Sequence, residues 1–548
     1  MEQLWHEFIQ RLNNSMVKRW RIALFLLIGI LVRVLPVLQS NYPLGEGGLF
    51  YYIIQYIAEQ RTLPREVPYY SCGLPFAYPP LGLVVYGLVL RYTSLSLFTI
   101  LQWSAPFFSV LSLLAFALLA ARFLKGLARD LAILSFATIP AVVAHITAAD
   151  SIRNMALFLM LVGLSLLHEV LSQDISDRAL IKKAIAAGLC IGLVILIHPS
   201  IAVGTITVTL LFVLYFACTR RTWVILRVVL LVLSTTFIIG LIWPLVLYEL
   251  HGTRFLPLLA NALGSRPYKS IWLLTLLNLG ATDEPFADFW AVTGSIGLIY
   301  GLLSGNPLPA IWFLVTPIHW SNQVYAVPLA IGAGWGLGEV IVPLINQKPS
   351  HLRKILVSLL FVALVGYVIL GALTFSIRPE TPLIGRLWGN RGMQPQISDA
   401  RLEAWAWMAN HLPENAQVIL VAEEKEWVPA FGHICANIPQ GAEWVGKFLY
   451  YGELYNKLIS VSTAEDLLTL LHEHQQPIEY LYLSTKLSPQ FRTAVANRGG
   501  NLYTLKRTLD ELKCTQLLFE NTEVVVYNIQ SCASLLYQTY DSSDQGAK

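Results

Sequence analysis

The sequence carries little charge. Of its 548 residues only 13% are Asp, Glu, Lys or Arg, whereas 55% are hydrophobic and the mean hydropathy is +0.57. Globular domains carry about 25% charged residues, so water cannot cover the whole surface of this chain. The composition therefore excludes an ordinary soluble protein and predicts that lipid covers much of the surface.

Cysteine is scarce as well. The six cysteines form no Cys-x-x-Cys pair and no Cys/His metal spacing, which excludes a disulfide-rich scaffold and a structural zinc site. A disulfide among Cys435, Cys514 and Cys532 stays open, because their spacing does not indicate a pairing. The net charge of +4 is too mild and too scattered for a nucleic-acid partner, and we expect none.

Long apolar runs recur between residues 20 and 377 and then stop. Because a helix needs about 20 apolar residues to cross the hydrocarbon, we predict about eleven spans. They fall near residues 20–40, 98–120, 131–146, 155–172, 184–198, 200–218, 228–248, 287–304, 308–320, 324–345 and 354–377. The apolar stretches 81–90 and 271–279 are about half a span long and are expected to be interfacial or re-entrant helices. Counting both would give about thirteen spans.

The basic residues predict the orientation of these spans. Lys and Arg cluster at 18–21, 122–129, 178–183, 220–227 and 348–354. Cationic loops resist translocation, so these loops are expected to be cytoplasmic. The N-terminus would then be cytoplasmic, with an uncleaved signal-anchor, and an odd number of spans places the C-terminus outside. One short segment crossing alone would reverse the C-terminal side.

From residue 378 the composition is that of a soluble domain. The pattern predicts helices at Asp399–His411 and at 464–472, the second capped by Thr463, strands at 417–422 and 479–484, and a hairpin of 517–519 with 524–527. The predicted fold class is thus an α-helical polytopic membrane bundle, residues 1–377, followed by a small extracytoplasmic α/β domain, residues 378–548.

The predicted external loops hold the unusual polar residues. Glu46 lies just after the first span between two glycines, where the backbone can bend and a carboxylate could accept a proton. An ordinary solvated loop residue is the alternative, with about equal weight. In the second external loop Asp150 and Arg153 lie within one helical turn, which fits either a site or a local helix cap.

Further candidates follow along the chain. His198 precedes Pro199 at an external turn, where capping or packing is the more common role. Beyond the seventh span come His251 and Arg254, and later Lys269. External cations are unexpected, so this group indicates anion binding or contact with lipid headgroups. Tyr78 belongs to a set of first-loop aromatics that could stack on a sugar or anchor the chain at the interface.

Five segments carry a resemblance to a known superfamily. They are Gly45-Glu46-Gly47-Gly48-Leu49-Phe50, Phe76-Ala77-Tyr78-Pro79-Pro80-Leu81-Gly82, the Asp150/Arg153 loop, His198-Pro199 and His251-x-x-Arg254-Phe255. In order and spacing they resemble the GT-C membrane glycosyltransferases, in particular the branch of protein O-mannosyltransferases and the aminoarabinose transferase of lipid A. The resemblance covers residues 20 to about 345.

The resemblance implies an activity. Glu46 stands where the superfamily usually has a catalytic aspartate, and the donor would be a polyprenyl-phosphate sugar. The expected reaction is transfer of the sugar, with inversion at the anomeric carbon, to an acceptor hydroxyl on a lipid, glycan or protein. It would take place on the extracytoplasmic face of the cell membrane, that is, the inner or plasma membrane. Glu46 and Asp150 are the catalytic candidates, and the substrate-binding candidates are Tyr78, Arg153, His198, His251, Arg254 and Lys269. No cofactor is certain.

This sequence also departs from the aminoarabinose branch. That branch often has Glu-Lys before the two prolines, where this chain has Ala77-Tyr78. The change removes an acid and a base from the loop and leaves His251 as the one candidate ligand for a divalent metal, which stays an open alternative.

Two rival functions remain. A transporter or flippase of lipid-linked or small polar cargo would place ionisable residues within the spans. Arg33 lies in the first span but near enough to its outer end to snorkel, and no inverted repeat is visible. A sensor or scaffold would use the soluble domain without catalysis and predicts that Glu46→Gln changes nothing measurable.

Overall fold

The structure is a computed structural model that describes residues 15–143, 145–172, 177–220, 223–264, 285–316, 322–346, 351–376, 395–474 and 479–532. It is mostly helical up to residue 376 and mixes helices with a sheet from residue 395. Lys269 and the predicted helix at 271–279 lie outside the described residues.

The N-terminal part contains helices and one small hairpin. The helices are Ser15–Leu38 (α1), Gly48–Gln60 (α2), Leu81–Tyr92 (α3), Leu97–Phe123 (α4), Gly126–Thr138 (α5), Pro140–Val143 (α6), Asp150–Ser172 (α7), Asp177–Ile195 (α8), Pro199–Arg220 (α9), Trp223–Gly240 (α10), Ile242–His251 (α11), Phe255–Gly264 (α12), Pro285–Leu303 (α13), Leu308–Val315 (α14), Asn322–Trp335 (α15), Val342–Asn346 (α16) and His351–Ser376 (α17). Strands Glu66–Val67 (β1) and Leu74–Pro75 (β2) form the hairpin, Gly252–Arg254 is a 3-10 turn, and Gly336–Ile341 is a π-helical turn.

Within the described ranges, six helical segments are long and apolar enough to cross a membrane. They are Arg19–Leu38, Leu97–Phe123, Asp150–Ser172, Pro199–Thr219, Trp223–Leu263 and Gln323–Leu344. Three shorter apolar helices are Leu81–Tyr92, Phe289–Leu303 and Leu359–Leu373. The larger number of spans expected from the sequence stays a prediction. The segment Trp223–Leu263 buries only 17% of its most apolar window, so most of its apolar side chains face outward, as lipid contact requires.

Arg33 does not snorkel. Its side chain is fully buried in the bundle. Nε donates to Ser109 Oγ at 2.9 Å, Nη1 donates to the carbonyls of Gly29 at 2.9 Å and Ala137 at 2.8 Å, and Nη2 donates to Phe136 O at 3.1 Å. The expectation was wrong because helix α5 presents carbonyls that the guanidinium can reach directly. Arg33 therefore ties α1, α4 and α5 together.

The C-terminal segment, residues 395–532, contains a four-stranded sheet in the order β3-β4-β6-β5. Its strands are Val418–Val421 (β3), Tyr480–Ser484 (β4), Gln516–Glu520 (β5) and Val524–Asn528 (β6). The β3 and β4 strands are parallel, and the other two pairs are antiparallel. The helices are Asp399–His411 (α18), Val428–Gly432 (α19), Phe448–Leu458 (α20), Ala464–Glu473 (α21), Pro489–Asn497 (α22) and Leu502–Glu511 (α23), with a 3-10 turn at Ala442–Val445.

Several local predictions for this segment are confirmed. Helix Asp399–His411 has the expected bounds, and the hairpin forms between β5 and β6. Thr463 caps α21, accepting a hydrogen bond from the backbone N–H of Asp466. These elements follow from local signals, namely a capping side chain and an alternating apolar pattern on either side of a turn.

The C-terminal segment lies directly against the first loop, residues 39–80. A disulfide joins Cys72 to Cys435, and the Ser71 N–H donates to Ala436 O at 2.8 Å. A second disulfide joins Cys514, just before β5, to Cys532, just after β6. The two parts of the chain therefore share an interface, and the candidate site lies in it.

Candidate active site

Glu46 is held by the backbone on both sides. The carbonyl of Leu44 accepts from the Ala148 N–H at 2.9 Å, and that of Glu46 accepts from the Ala149 N–H at 2.8 Å. Gly45 has a φ of +60°, a left-handed conformation that favours glycine. A Cβ there would also lie 2.5 Å from Thr147 Cγ2. The first loop thus runs along the second loop and fixes Glu46 at the start of α2.

The C-terminal segment closes over the same place. Trp427 Nε1 donates to the Gly45 carbonyl at 2.8 Å, and the Tyr70 hydroxyl donates to the Glu426 carbonyl at 2.7 Å. A Cβ on Gly48 would lie 2.1 Å from that Glu426 carbonyl oxygen, so only glycine permits this approach. Three stretches of chain that are far apart in sequence therefore meet around Glu46.

Two cavities adjoin this junction. The aromatic cavity, of about 330 Å³, includes aromatic side chains and the ends of membrane helices; it is lined by Glu46, Leu49, Phe50, Tyr78, Ala149, Arg153, His198, Pro199, Ser200, Ala262, Leu263, Glu426, Pro439, Gln440, Gly441, Glu443 and Phe448. The polar cavity, of about 350 Å³, is lined by Gly45, Glu46, His145, Thr147, Ala149, Asp150, Arg153, Gln396, Glu423 and Ser488. Glu46, Ala149 and Arg153 line both cavities.

Asp150 and Arg153 form an ion pair beside Glu46. Arg153 Nη1 donates to Asp150 Oδ1 at 2.6 Å. The other carboxylate oxygen accepts from Thr147 Oγ1 at 2.7 Å, and His145 Nδ1 lies 3.0 Å from Asp150 Oδ1. The local cap considered from the sequence is therefore present, and it holds the guanidinium that borders both cavities.

His198 and Tyr78 lie in the wall of the aromatic cavity. His198 Nδ1 is 3.0 Å from Ser200 Oγ and 3.4 Å from the Ile201 N–H, so the ring caps the start of α9. The Tyr78 ring packs edge-on against His198, with 6.1 Å between ring centroids, and lies tilted against Phe50, with 5.1 Å between centroids. The structure thus brings Glu46, Tyr78, Asp150, Arg153 and His198 together.

Two other predicted residues lie elsewhere. His251 Nε2 is 2.8 Å from the Phe76 carbonyl, so this imidazole holds the first loop rather than bordering a cavity. Arg254 is exposed in the 3-10 turn and lines neither cavity. Lys269 lies outside the described residues.

Sequence reasoning missed the wall that the C-terminal segment supplies. Glu423, Glu426, Gln440 and Glu443 line the two cavities. Glu423 and Glu426 belong to a run of four charged residues, 423–426, that resembles a solvated turn, yet all four are buried. The available signal was the flanking sequence, because the run is enclosed by the apolar strand β3 and by Trp427.

Burial shapes the electrostatics of this wall. Burial, together with the neighbouring charge of Glu46, raises the pKa of Glu426 to about 8. The charge of Lys425 and the backbone N–H groups of Leu49 and Gly47 act in the opposite direction. Burial also raises the pKa of Glu424, whose neighbour Arg401 opposes the shift from 3.4 Å. The raised pKa therefore favours the acid form of Glu426 near neutral pH.

The described residues do not form a metal site. Among them, no group of three His, Cys, Asp or Glu side chains converges in a way that could hold a metal ion. Carboxylates are abundant here, but Asp150 is already engaged by Arg153 and Thr147. The chemistry proposed below uses these side chains alone.

Similar solved structures identify the architecture. The archaeal oligosaccharyltransferase AglB from Archaeoglobus fulgidus, in complex with an inhibitory peptide and a dolichol-phosphate, superposes with a TM-score of 0.57 and 15% identity over 89% of this chain and 72% of that one. ArnT from Cupriavidus metallidurans in the apo state gives 0.56 and 15% over 95% of this chain and 99% of that one. Both are GT-C membrane glycosyltransferases. The chain has the GT-C fold.

The GT-C fold agrees with the resemblance that the loop motifs carry. ArnT bound to undecaprenyl phosphate also superposes, with a TM-score of 0.54 and 14% identity over 93% of this chain and 98% of that one. No family model and no curated protein matches the sequence. The six long apolar helical segments, together with the fold shared with these membrane proteins, indicate that the chain is a multi-pass membrane protein.

Proposed function

We propose that the protein is a membrane glycosyltransferase that moves a sugar from a polyprenyl-phosphate donor to an acceptor hydroxyl, with inversion at the anomeric carbon. The GT-C fold supports this proposal, as do neighbours bound to a dolichol-phosphate and to undecaprenyl phosphate. The observation that carries it is that Glu46 and Arg153 line the same two cavities.

The chemistry needs one base and one cation. The acceptor oxygen forms a bond to the anomeric carbon while the bond from that carbon to the phosphate oxygen breaks. Glu46 takes the acceptor's proton, and the phosphate leaves with the bonding electrons. Arg153 neutralises the leaving charge with a charge-assisted contact, and Asp150 orients that guanidinium. Arg254 and Lys269 are further candidates for contact with the carrier's phosphate or with headgroups.

The two cavities suit different substrates. Ala262 and Leu263, at the end of a long apolar helical segment, border the aromatic cavity, so a prenyl chain lying on the bundle could lead its headgroup there. The polar cavity has Gln396, Glu423 and Ser488 in its wall and suits an acceptor with hydroxyls. Glu46 lies between the two, which is the place for a base in a direct displacement.

The proposed orientation puts the site outside the cell membrane. The disulfides Cys72–Cys435 and Cys514–Cys532 form and persist in oxidising compartments. Basic clusters at the opposite end of the bundle favour the cytoplasm for that end. We therefore place the N-terminus in the cytoplasm and residues 378–548 outside as a separate α/β domain, after a membrane domain of residues 1–377.

The direct test is turnover with a panel of donors. Purified protein is incubated with polyprenyl-phosphate sugars and candidate acceptors, and release of polyprenyl phosphate is followed. We expect turnover with at least one pair and a loss of roughly 100-fold or more for Glu46→Gln, because general base catalysis is worth about 10²–10⁴.

Two outcomes would overturn the proposal or part of it. Equal turnover by Glu46→Gln and the parent would remove the base assignment. No turnover with any donor, combined with movement of a labelled lipid between leaflets in vesicles, would favour a flippase. Glu59→Gln is a matched control, because Glu59 lies on α2 and lines neither cavity.

A further inference from the structure

Glu426 and Gln440 have an unusual place in the aromatic cavity. Both belong to the C-terminal segment and both line the cavity beside Glu46. The Glu426 side chain is 4% exposed. Within the described part of the chain, Glu426 Oε2 and Gln440 Oε1 have no hydrogen-bond partner. A buried oxygen without a hydrogen-bond partner is destabilising, so two such oxygens in one wall call for an explanation.

The cavity around them has the chemistry of a sugar site. A sugar hydroxyl both donates and accepts, and it pairs with planar carboxyl and amide groups. Gln440 Nε2 already donates to Glu46 Oε1 at 3.4 Å, which leaves its oxygen as an acceptor. Phe50, Tyr78 and Phe448 supply apolar surface in the same cavity, as a sugar ring requires.

We propose that Glu426 and Gln440 form a subsite for the hydroxyls of a sugar, so that the C-terminal segment selects the glycosyl group handled at Glu46. The subsite deepens the proposed function and rests on it. Glu426 in its acid form donates one hydrogen bond and accepts another, and the Gln440 oxygen accepts a second hydroxyl.

The charged surroundings suit a neutral ligand at this wall. Glu46, Glu443, Arg153 and His198 face the aromatic cavity from the other elements that enclose it. Lys425, next in sequence to Glu426, has its Nζ 4.0 Å from the ring centre of Tyr455 and so is directed to another partner. Among the described lining residues Arg153 is the one Lys or Arg side chain, which leaves the phosphate to Arg153 and the sugar to Glu426 and Gln440.

The test measures binding of two kinds of lipid. The probes are undecaprenyl phosphate alone and undecaprenyl phosphate carrying mannose, glucose or N-acetylglucosamine, with the methyl glycosides of the same sugars as a separate arm. For the parent protein, at least one sugar-bearing lipid should bind tighter than the bare lipid. Gln440→Leu should lose roughly tenfold of that affinity, with bare undecaprenyl phosphate unaffected. Glu426→Gln, which keeps one donor and one acceptor, should retain it.

The outcomes separate this subsite from the proposed function. Equal losses for bare and sugar-bearing lipid would overturn the subsite, as would an unchanged sugar-bearing affinity in Gln440→Leu. If the parent binds all lipids equally but turns one over, the subsite fails and the glycosyltransferase stands; if it binds and turns over none, both fail. Tighter binding of a methyl glycoside than of any sugar-bearing lipid would assign the subsite to the acceptor's sugar.

Two further variants complete the test. Gln55→Leu is the matched control, because Gln55 lies on α2 and lines neither cavity. Glu426→Met replaces Gln440→Leu should that variant not fold.

Discussion

Acidic side chains at the two ends of the membrane bundle differ in how they are paired with cations. At the end that carries the basic clusters, here called the basic end, the Asp130 carboxylate forms ion pairs with Arg21 at 2.7 Å and with Arg129 at 2.9 Å. The Glu169 carboxylate forms ion pairs with Arg122, at 2.7 Å, and with Lys183. At the site end, five carboxyl groups line the two cavities, Glu46, Asp150, Glu423, Glu426 and Glu443, with Arg153 as the one Lys or Arg among the described lining residues.

The difference separates structural acids from chemical ones. Acids with two cations each have their charge fully neutralised, and they hold helices together. At the site end, Asp150 is paired with Arg153, and Glu423 is paired with Arg401. Glu426 differs from both, because its pKa is raised and one of its carboxyl oxygens has no hydrogen-bond partner among the described residues, a capacity that binding can use. Substitutions at the two ends should therefore damage different properties, and the predictions below run from the largest expected effect to the smallest.

The largest effect is expected from Asp130→Asn. The carboxylate is fully buried between two arginines, and removing its charge leaves them unpaired. Breaking such a pair costs about 3–5 kcal/mol. The unfolding free energy in detergent should fall by that amount, while turnover per folded molecule is unchanged. A loss of turnover with an unchanged unfolding free energy would contradict a purely structural role for Asp130.

At the site end, Arg153→Ala should lower kcat/KM by roughly 100-fold, because a charge-assisted contact to the leaving phosphate is lost. Arg153→Lys should recover part of the loss, since it keeps the charge but not the planar fork. The measurement is the initial rate of polyprenyl phosphate release. Arg122→Ala at the basic end is the control, and an equal loss of rate there would contradict the assignment.

Glu426 should make the stability of the protein fall as pH rises. Its pKa is raised from 4.5 to about 8 by burial and by Glu46. Between these values the folded state holds a proton that the unfolded state has released. The free energy of unfolding therefore falls as pH rises, by up to about 1.4 kcal/mol per pH unit, and the fall is complete above pH 8.

The check compares denaturation from pH 5 to pH 9 for the parent and for Glu426→Gln, whose amide does not titrate. The variant should gain stability relative to the parent as pH rises, and Glu453→Gln, an exposed change on α20, should follow the parent. Parallel curves for the parent and Glu426→Gln would show that this carboxyl carries no excess proton.

The smallest effect is expected from Asp177→Asn, also at the basic end. The pair with Arg227 is 3.9 Å long and exposed on both sides. Exposed pairs and helix N-terminal charges are each worth less than about 1 kcal/mol. The unfolding free energy should therefore change by less than about 2 kcal/mol in total. A loss as large as that of Asp130→Asn would show that pairing alone, without burial, decides the effect.

The sequence predicts well what depends on neighbours in the chain. Helix Asp399–His411, the cap at Thr463 and the β5–β6 hairpin are determined by residues within one or two turns of each other. The GT-C architecture followed from the order of several loop motifs. Glu46, Asp150 and Arg153 were singled out by residue type and by position at the ends of spans, and they do lie together.

What depends on distant contacts was missed. The Cys72–Cys435 bond joins residues separated by 363 positions, and no spacing rule reports such a pair. Arg33 was misplaced because its partners, on α4 and α5, are invisible along its own helix. Glu426 was overlooked because a charged run normally faces water, whereas here the first loop covers it.

The closure of Glu426 and Trp427 over Gly45 and Gly48 has a consequence for biosynthesis. Glu46, the proposed base, is made among the first fifty residues, but part of the wall around it comes from residues 396–488, after the last membrane helix. A nascent chain would thus carry this carboxylate for most of its synthesis without the C-terminal wall. Only a chain made almost to its end can complete the two cavities.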